Sequence, residues 1–344
     1  MLSPSSQVLI RNSEIFEQGI WGIVNPEDTF IFAELPQVKF GFHHFYDVFQ
    51  ASPKQLDQQF GASFSLPDDT PKLDGAIVYM PKAKQVLDML IHNLNNVVKP
   101  EGRIILVGEN KSGAKSAAKL LQKHLDQVHK IDAAKHCSLF SGFLPKSMKD
   151  FSIDNYLQIN SIDINEVSLQ ICSLPGVFGH KKLDEGTALL LSQYSDHKAI
   201  RMMKGNLYDF ACGTGVIGCY FQKVNPALEI TFSELSALAL YCCEKTLDVN
   251  HLNGKVIASD GMQEITGTFN YILSNPPFHS GIKNDYAITE KFIKDAYKHL
   301  KSNASLSIVA NRFLPYPDLL EDNFGRFEVL EKTNKYTVYR GVKS

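Results

Sequence analysis

The chain has 344 residues, of which 44% are hydrophobic and 21% charged, and its formal net charge is −2. This composition excludes a disordered protein, and no apolar run in the sequence approaches the roughly 20 residues of a membrane-spanning helix. The length predicts two globular domains, and the near-neutral charge means that a nucleic-acid partner must be held by local basic patches. Residues 1–6 show neither the basic start nor the apolar core of a signal peptide, so we expect a cytoplasmic protein.

The cysteines and histidines give no sign of a metal site. Six cysteines are scattered along the chain without a CxxC pair. The adjacent His43 and His44 have no cysteine or carboxylate cluster beside them, which favours packing over metal binding. We therefore expect no metal ion, and we expect free, buried thiols.

Regular periodicity begins near residue 73, after an N-terminal stretch that is hard to assign. An apolar run at 76–80 predicts a buried strand, residues 85–97 an amphipathic helix, 99–102 a turn and 103–108 a second strand. A strand, a helix and a further strand in this order predict a parallel βαβ unit.

The second half of the chain continues this alternation. Three strands come first, and they are predicted at 207–211, 228–234 and 256–260; a glycine-rich turn at 212–218 joins the first of them to a helix. A second βαβ unit follows, with its strand, helix, turn and strand predicted at 269–274, 288–300, 301–303 and 306–311. The chain ends in a predicted hairpin with strands at 327–330 and 336–342.

The two βαβ units align with each other. Sliding one onto the other places Tyr79 on Asn275 and Pro81 on Pro277. We interpret this as a duplicated domain, although unrelated βαβ units of a common kind would look similar. The first copy lacks the asparagine, the second proline and a glycine-rich loop, so we expect it to be degenerate.

The predicted fold class is therefore α/β, with two tandem Rossmann-like domains. We assign residues 1–160 to the degenerate domain and residues 161–344 to the catalytic domain. Polar residues interrupt the periodicity near 150–165, and we expect the joint between the domains there.

A four-residue turn, Asn275-Pro276-Pro277-Phe278, follows the strand predicted at 269–274. Two prolines cannot continue a buried strand, so the chain turns out at the carboxyl end, where open α/β sheets bind ligands. The Asn275 side-chain oxygen and the Pro276 carbonyl can accept the two hydrogens of an NH2 group, while Phe278 lies against a planar ring. The turn is a candidate catalytic site for alkylation of an amine; the alternative is a plain turn with a core phenylalanine.

The glycine-rich turn, which includes Gly213 and Gly215, predicts a cofactor site together with three acidic residues. Glu234 ends the next strand about 20 residues on, where a dinucleotide fold has its ribose-binding acid, so NAD is one interpretation. Asp209, however, lies where that fold keeps an apolar core residue, and a carboxylate there favours a cation. S-adenosylmethionine offers an amino cation to Asp209, ribose hydroxyls to Glu234 and an adenine amine to Asp260.

The glycine-rich turn, the three acids and the Asn-Pro-Pro-Phe turn together resemble the class I methyltransferases that act on exocyclic amino groups. The chain is more similar still to the bacterial ribosomal RNA small subunit methyltransferase C family, the guanine-N2 enzymes. Long strings carry that similarity, at 106–113, 174–178, 183–187, 309–317 and 336–340. Two departures are Ala211, where many relatives carry glycine, and Glu234, where aspartate is more usual.

This resemblance implies two methyltransferase-like domains, of which the first has lost its cofactor site. It implies S-adenosylmethionine as the cofactor, bound in part by Ala211, Gly213 and Gly215, and methyl transfer to N2 of one guanine in 16S rRNA or the 30S subunit. We expect a monomer. Adenine-N6 and protein-glutamine methyltransferases would use the same turn, so the motif chemistry leaves them open, as it does a dinucleotide oxidoreductase or a silent RNA-binding module.

Contacts with RNA are predicted at two places. Phe278 is positioned to stack on a base swung out of folded RNA, and the adjacent His279 to pack or to contact RNA. Four lysines recur every four residues in a helix-favouring segment, and we expect their ammonium groups along one side of a helix: Lys111, Lys115, Lys119 and Lys123. This lysine stripe is either an ordinary solvated surface or a docking site for rRNA phosphates on the degenerate copy.

Overall fold

The computed structural model of the protein describes residues 1–179, 183–276, 282–312, 314 and 316–344, without the side chains of residues 115 and 282–286. The chain divides into two compact units, Met1–Leu157 and Gln158–Ser344, and each has its own hydrophobic core. Among the described residues, no helix has the length and apolar character needed to cross a membrane.

The first unit is a sheet with helices. Its strands are β1 (Trp21–Val24), β2 (Val38–His43), β3 (Asp57–Phe60), β4 (Leu73–Tyr79), β5 (Val98–Glu109), β6 (Asp126–Ala134) and β7 (Cys137–Phe143). Its helices are α1 (Pro4–Arg11), α2 (Ile31–Glu34), α3 (Tyr46–Ala51), α4 (Lys84–Val97) and α5 (Ala114–Leu121).

The second unit adds a hairpin to the same kind of sheet. The hairpin is β8 (Gln158–Ile164) and β9 (Val167–Ser173), and the sheet strands are β10 (Asn206–Phe210), β11 (Glu229–Glu234), β12 (Lys255–Ala258), β13 (Phe269–Ser274), β14 (Leu300–Asn311), β15 (Phe327–Lys332) and β16 (Tyr336–Val342). The helices are α6 (Glu185–Ser192), α7 (His197–Met202), α8 (Val216–Val224), α9 (Ala237–Val249), α10 (Ile282–His299) and α11 (Tyr316–Phe324).

Both sheets have the same topology within the described residues. Their strand orders are β3-β2-β1-β4-β5-β7-β6 and β12-β11-β10-β13-β14-β16-β15. In each sheet the first five strands of this order pair in parallel, and an antiparallel hairpin completes one edge. The predicted fold class, two tandem Rossmann-like α/β domains, is confirmed.

The central strands are buried on both faces, which explains their continuous apolar runs. In β13 the adjacent residues Ile272 and Leu273 belong to different cores, because side chains alternate along a strand. Ile272 packs in the core that includes α10 and α11, and Leu273 in the core that includes α6, α8 and α9. This layering leaves the carboxyl ends of the parallel strands free to carry a site.

The pairing registers support the alignment of the two copies. β1 with β4 and β10 with β13 end in equivalent pairs, Val24–Val78 and Phe210–Ser274. The residues that follow, Tyr79 and Asn275, therefore take the same position in the two sheets. A tyrosine in the first copy stands where the second has the asparagine of the candidate site.

Two predicted turns are parts of strands instead. Residues 99–102 and 301–303 lie inside β5 and β14, whose pairings with β4 and β13 shift register there. Glu101 and Asn303 have φ values of 60° and 61°, so the chain bends sharply without leaving the sheet. The two turn predictions were correct about the bend in the chain and wrong that the strand ends there.

The first unit lacks the glycine-rich turn after its first strand. Asn25 follows β1 with a φ of 50°, as Ala211 follows β10 with a φ of 53°, but no glycine-rich turn comes next. Asp28 Oδ2 instead accepts hydrogen bonds from the Ser3 N–H (2.8 Å) and the Ser6 hydroxyl. This loop holds α1 in place, in agreement with the prediction that the first copy is degenerate.

A buried histidine replaces the strand-end acid in the first unit. The registers of β1 with β2 and β10 with β11 place His43 where the second unit has Glu234. His43 and His44 are both buried, and the His44 ring stacks on Phe64 with centroids 4.9 Å apart. Burial lowers the pKa of both histidines, and that of His44 falls to about 3.

The polar stretch expected to join the domains contains strand β8. Its residues are a mixture of polar side chains and three isoleucines, and it pairs with β9 through a tight turn in which Asn165 and Glu166 have φ values of 46° and 67°. A strand with one polar face explains why the composition resembled a linker.

The lysine stripe does not lie on one helix. Gly113, with a φ of 95°, precedes α5, and the helix ends at Leu121. Lys111 lies before this break and forms an ion pair with Glu109 (2.9 Å), while Lys123 lies in the turn after the helix. The expectation of one helical face through all four lysines is wrong, because Gly113 starts a new helix.

Candidate active site

A cleft opens at the carboxyl ends of β10 and β13. Its walls come from the turn after β10, the start of α8, the β8–β9 hairpin, the residues around the start of α6, and Asn275. Among the residues predicted from the sequence, Ala211, Gly213 and Asn275 line it.

Two glycines allow the helix after this turn to pack closely on the sheet. At Gly215, which has a φ of 81°, a Cβ atom would lie 2.7 Å from Cys243 Sγ. At Gly218 a Cβ atom would lie 2.3 Å from the Phe232 ring on β11. Larger residues are therefore excluded, and the N-terminus of α8 stays beside the cleft.

Asp209 lies beneath the turn. It is fully buried, and its Oδ2 accepts a 2.9 Å hydrogen bond from the Gly218 N–H. The buried Oδ1 has no hydrogen-bond partner in the described part of the chain. Burial raises the pKa of Asp209 to about 7; the Gly218 N–H opposes this shift, and Glu234 adds to it.

Glu234 connects the end of β11 to the glycine-rich turn. Its Oε2 accepts a hydrogen bond from the Gly213 N–H (3.0 Å), and its Oε1 accepts from the N–H groups of Leu235 (2.9 Å) and Ser236 (3.3 Å). Burial raises the pKa of Glu234, and the three N–H groups oppose that shift. This acid organises the turn; its predicted contact with ribose stays a prediction.

Asp260 lies beyond the end of β12, close to Glu234 in the sheet. The Ser259 N–H donates to the Glu234 carbonyl (3.0 Å), so Asp260, the next residue, lies at the same carboxyl edge of the sheet as Glu234. The Asp260 side chain is exposed and accepts a 3.2 Å hydrogen bond from Gln263 Nε2. Its carboxylate is accessible to a ligand, and its predicted contact with adenine stays a prediction.

Asn275 follows β13 and is half-buried. Its Nδ2 donates to Asp184 Oδ2 (2.8 Å) and to Thr187 Oγ1 (2.9 Å), and both of these residues also line the cleft. Pro276 is buried next to it. The structure therefore brings the asparagine, the glycine-rich turn and the start of α6 together around one cleft.

The other predicted site residues lie elsewhere or outside the description. Pro277, Phe278 and His279 fall outside the described residues, as does the Lys115 side chain. The lysine stripe belongs to the first unit, where Lys119 and Lys123 are exposed. Their predicted roles stay predictions.

Sequence reasoning missed the part played by Asp184 and Thr187. They occur in one of the strings that carry the family resemblance, but no role was assigned to them. An aspartate before the apolar run 188–191 is a helix-start signal, and Asp184 does cap α6. That signal does not indicate a contact with a residue 91 positions later.

Comparison with known proteins gives consistent results. The family model Methyltransferase small domain N-terminal matches residues 6–160, and Methyltransferase small domain matches residues 168–340. The chain is 42% identical to Ribosomal RNA small subunit methyltransferase C of Pseudoalteromonas atlantica, over 98% of this chain and 99% of that protein. It is 37% identical to the protein of the same name from Shewanella pealeana, over the whole of both.

A solved structure supports the fold. The T. thermophilus 16S rRNA N2 G1207 methyltransferase (RsmC), in complex with AdoMet and guanosine, is 20% identical and superposes with a TM-score of 0.84. The similarity covers 99% of this chain and 92% of that one.

Proposed function

Because the chain belongs to the ribosomal RNA small subunit methyltransferase C family, we propose that it methylates the exocyclic N2 of a guanine in 16S rRNA, with S-adenosylmethionine as the methyl donor. The target is the guanine equivalent to the one named for the T. thermophilus protein. The observation that carries the proposal is the arrangement of Asn275: its Nδ2 donates to two protein groups, and its Oδ1 has no hydrogen-bond partner among the described residues, which leaves it for a substrate amine.

The residues around the cleft fit this cofactor. Two acids lie behind the glycine-rich turn that lines the cleft: Asp209, whose buried Oδ1 has no hydrogen-bond partner in the described part of the chain, and Glu234, which accepts from the Gly213 N–H. Their charge suits a ligand that carries an amino cation and a sulfonium. The turn of Ala211, Gly213 and Gly215 offers backbone groups, and Asp260 offers an exposed carboxylate for an adenine amine. When bound, the cofactor supplies an electrophilic methyl group.

The asparagine turn corrects the poor nucleophilicity of the guanine amine. The lone pair of the guanine N2 is delocalised into the ring. Hydrogen bonds from this amine to Asn275 Oδ1 and the Pro276 carbonyl favour a pyramidal nitrogen. Alignment of that lone pair with the methyl carbon favours in-line transfer. The N–C bond forms as the S–C bond breaks, and the amine proton then leaves to water, so no strong base is needed.

The degenerate domain, which we assign to residues 1–160, has no part in this chemistry, and the catalytic domain comprises 161–344. We propose that Phe278 stacks on the flipped guanine, that His279 contacts RNA, and that the lysine stripe docks rRNA phosphates. The protein works as a monomer in the cytoplasm on the small ribosomal subunit.

The test uses unmethylated 30S subunits and naked 16S rRNA, each incubated with tritiated S-adenosylmethionine and then digested to nucleosides. We expect tritiated N2-methylguanosine, and a loss of about 100-fold in kcat for Asn275→Ala with cofactor affinity retained. N6-methyladenosine or labelled protein would identify another amine as the substrate. Near-normal turnover by the variant would refute the role of the asparagine.

A further inference from the structure

The amide of Asn275 is held by two side chains that lie far from it in sequence. Asp184 and Thr187 are 91 and 88 residues away, yet both accept hydrogen bonds from its Nδ2, at 2.8 and 2.9 Å. Thr187 is 8% exposed, so water does not readily replace its hydroxyl. Both amide hydrogens therefore have fixed acceptors inside the protein.

These acceptors decide which way the amide faces. A rotation of 180° changes the shape of the side chain little, but it would place Asn275 Oδ1 against Asp184 Oδ2. Two acceptor oxygens would then face each other across a part-buried contact. The observed orientation is favoured, and it leaves Oδ1 available to a ligand in the cleft that Asn275 lines.

Asp184 is itself fixed by the helix that it caps. Its Oδ2 also accepts from the N–H groups of Gly186 (2.8 Å) and Thr187 (3.1 Å). A Cβ atom at Gly186 would lie 3.0 Å from that oxygen and 3.4 Å from Asn275 Nδ2, closer than most side chains tolerate. The first turn of α6 is thus built tightly around the amide.

We propose that Asp184 and Thr187 are positioning residues, which hold Asn275 with its carbonyl oxygen toward the substrate amine; this inference rests on the proposed function. As the new N–C bond forms, the amine nitrogen gains positive charge and its hydrogens become stronger donors. Donation of Nδ2 hydrogens to a carboxylate increases the negative charge on Oδ1, because linked hydrogen bonds polarise one another. The pair therefore stabilises the transition state more than the bound substrate.

The first test replaces the threonine hydroxyl. Thr187→Val keeps the side-chain shape and removes the acceptor, and Thr187→Ser keeps the acceptor. We expect Thr187→Val to lower kcat about tenfold, with the KM for RNA and the cofactor affinity unchanged, and Thr187→Ser to stay near the wild-type rate. Wild-type kcat in a folded Thr187→Val protein overturns the inference.

The second test separates positioning from a structural role. In an Asn275→Ala background, Thr187→Val must cause no further loss, because its effect passes through the missing amide. An equal loss in both backgrounds means that the threonine only stabilises α6. If the valine variant does not fold, Asp184→Asn, which retains a helix-capping oxygen, replaces it in the same double-mutant cycle with Asn275→Ala.

The outcomes also distinguish this inference from the proposed function. If the wild-type protein methylates guanine and Thr187→Val retains its kcat, only the positioning inference fails. If the wild-type protein methylates a different amine and the cycle shows coupling, the guanine assignment fails and the positioning role holds. A protein that transfers no methyl group to any amine overturns both.

Discussion

Glu234 Oε2 accepts a 3.0 Å hydrogen bond from the Gly213 N–H, so the acid at the end of β11 holds the turn that follows β10. Through Oε1 the same carboxylate accepts hydrogen bonds from two further backbone N–H groups, those of Leu235 and Ser236. Every one of these contacts requires an acceptor, and a side-chain amide has one fewer acceptor oxygen than a carboxylate. The shape of the cofactor turn therefore depends on an acid at the end of the neighbouring strand β11.

Glu234→Gln is expected to weaken S-adenosylmethionine binding about tenfold, because the new NH2 group must face at least one backbone N–H. Glu234→Ala should have at least the same effect. Calorimetry measures the affinity, and Glu264→Gln, an exposed change in the same unit, is the control. Unchanged affinity in Glu234→Gln would show that the turn keeps its shape without the acid.

We predict that cofactor binding depends on pH through Asp209. Burial raises its pKa to about 7, so much of the carboxyl is protonated below that pH. If a bound ammonium needs the carboxylate, binding below pH 7 must release a proton. Affinity should then rise about tenfold per pH unit toward pH 7 and level off above it.

Asp209→Asn removes this titrating group, and we expect its cofactor affinity to be weaker and flat between pH 5.5 and 7.5. Calorimetry in two buffers of different ionisation enthalpy measures the released proton directly. A wild-type affinity that does not change over this pH range would mean that Asp209 supports the fold and does not sense the ligand charge.

The buried histidines of the first unit should make that unit sensitive to acid. Both have folded pKa values below the ordinary 6.5, with His44 at about 3, so unfolding at pH 5 takes up protons. Their contribution to stability is complete above pH 6.5 and is lost as the pH falls toward 3. For His44 the loss is about 1.4 kcal/mol per pH unit.

Trp21 is the single tryptophan of the chain, and it is buried on β1, so its fluorescence reports the unfolding of this unit. Urea unfolding at pH 7, 6 and 5 should give steadily lower midpoints. His44→Gln should reduce the slope with pH. A wild-type midpoint that is constant from pH 7 to 5 would contradict the pKa shifts.

The sequence predicted local features better than contacts between distant residues. The apolar runs of β4 and β13 and the turn at Gly213 were predictable, because each depends on neighbours in the chain. The bond from Asn275 to Asp184 was not, because it depends on the position of α6 in three dimensions. The bends at Glu101 and Asn303 were misread as turns, because only pairing with a neighbouring strand shows that the ladder continues.

A protein with a net charge of −2 must hold RNA through local basic groups. The lysine stripe is not one helical face, but Lys119 and Lys123 are exposed on the first unit at α5 and the turn after it. Lys111 is partly neutralised by Glu109 and should contribute less. If Lys119 and Lys123 contact rRNA phosphates, binding releases counterions from the RNA.

Lys119→Glu with Lys123→Glu should therefore weaken binding to 30S subunits and lower the slope of log affinity against log salt by about 2, since each phosphate contact adds about one. Cofactor affinity should not change. The matched control is Lys39→Glu with Lys54→Glu, the same change of charge at exposed lysines in β2 and before β3, toward the opposite edge of the sheet. Equal losses in both double variants would indicate a general charge effect. Wild-type binding by the Lys119 and Lys123 variant across the salt titration would mean that these lysines are only a solvated surface, and that rRNA docks elsewhere, with Lys332, Lys335 and Arg340 the next residues to change.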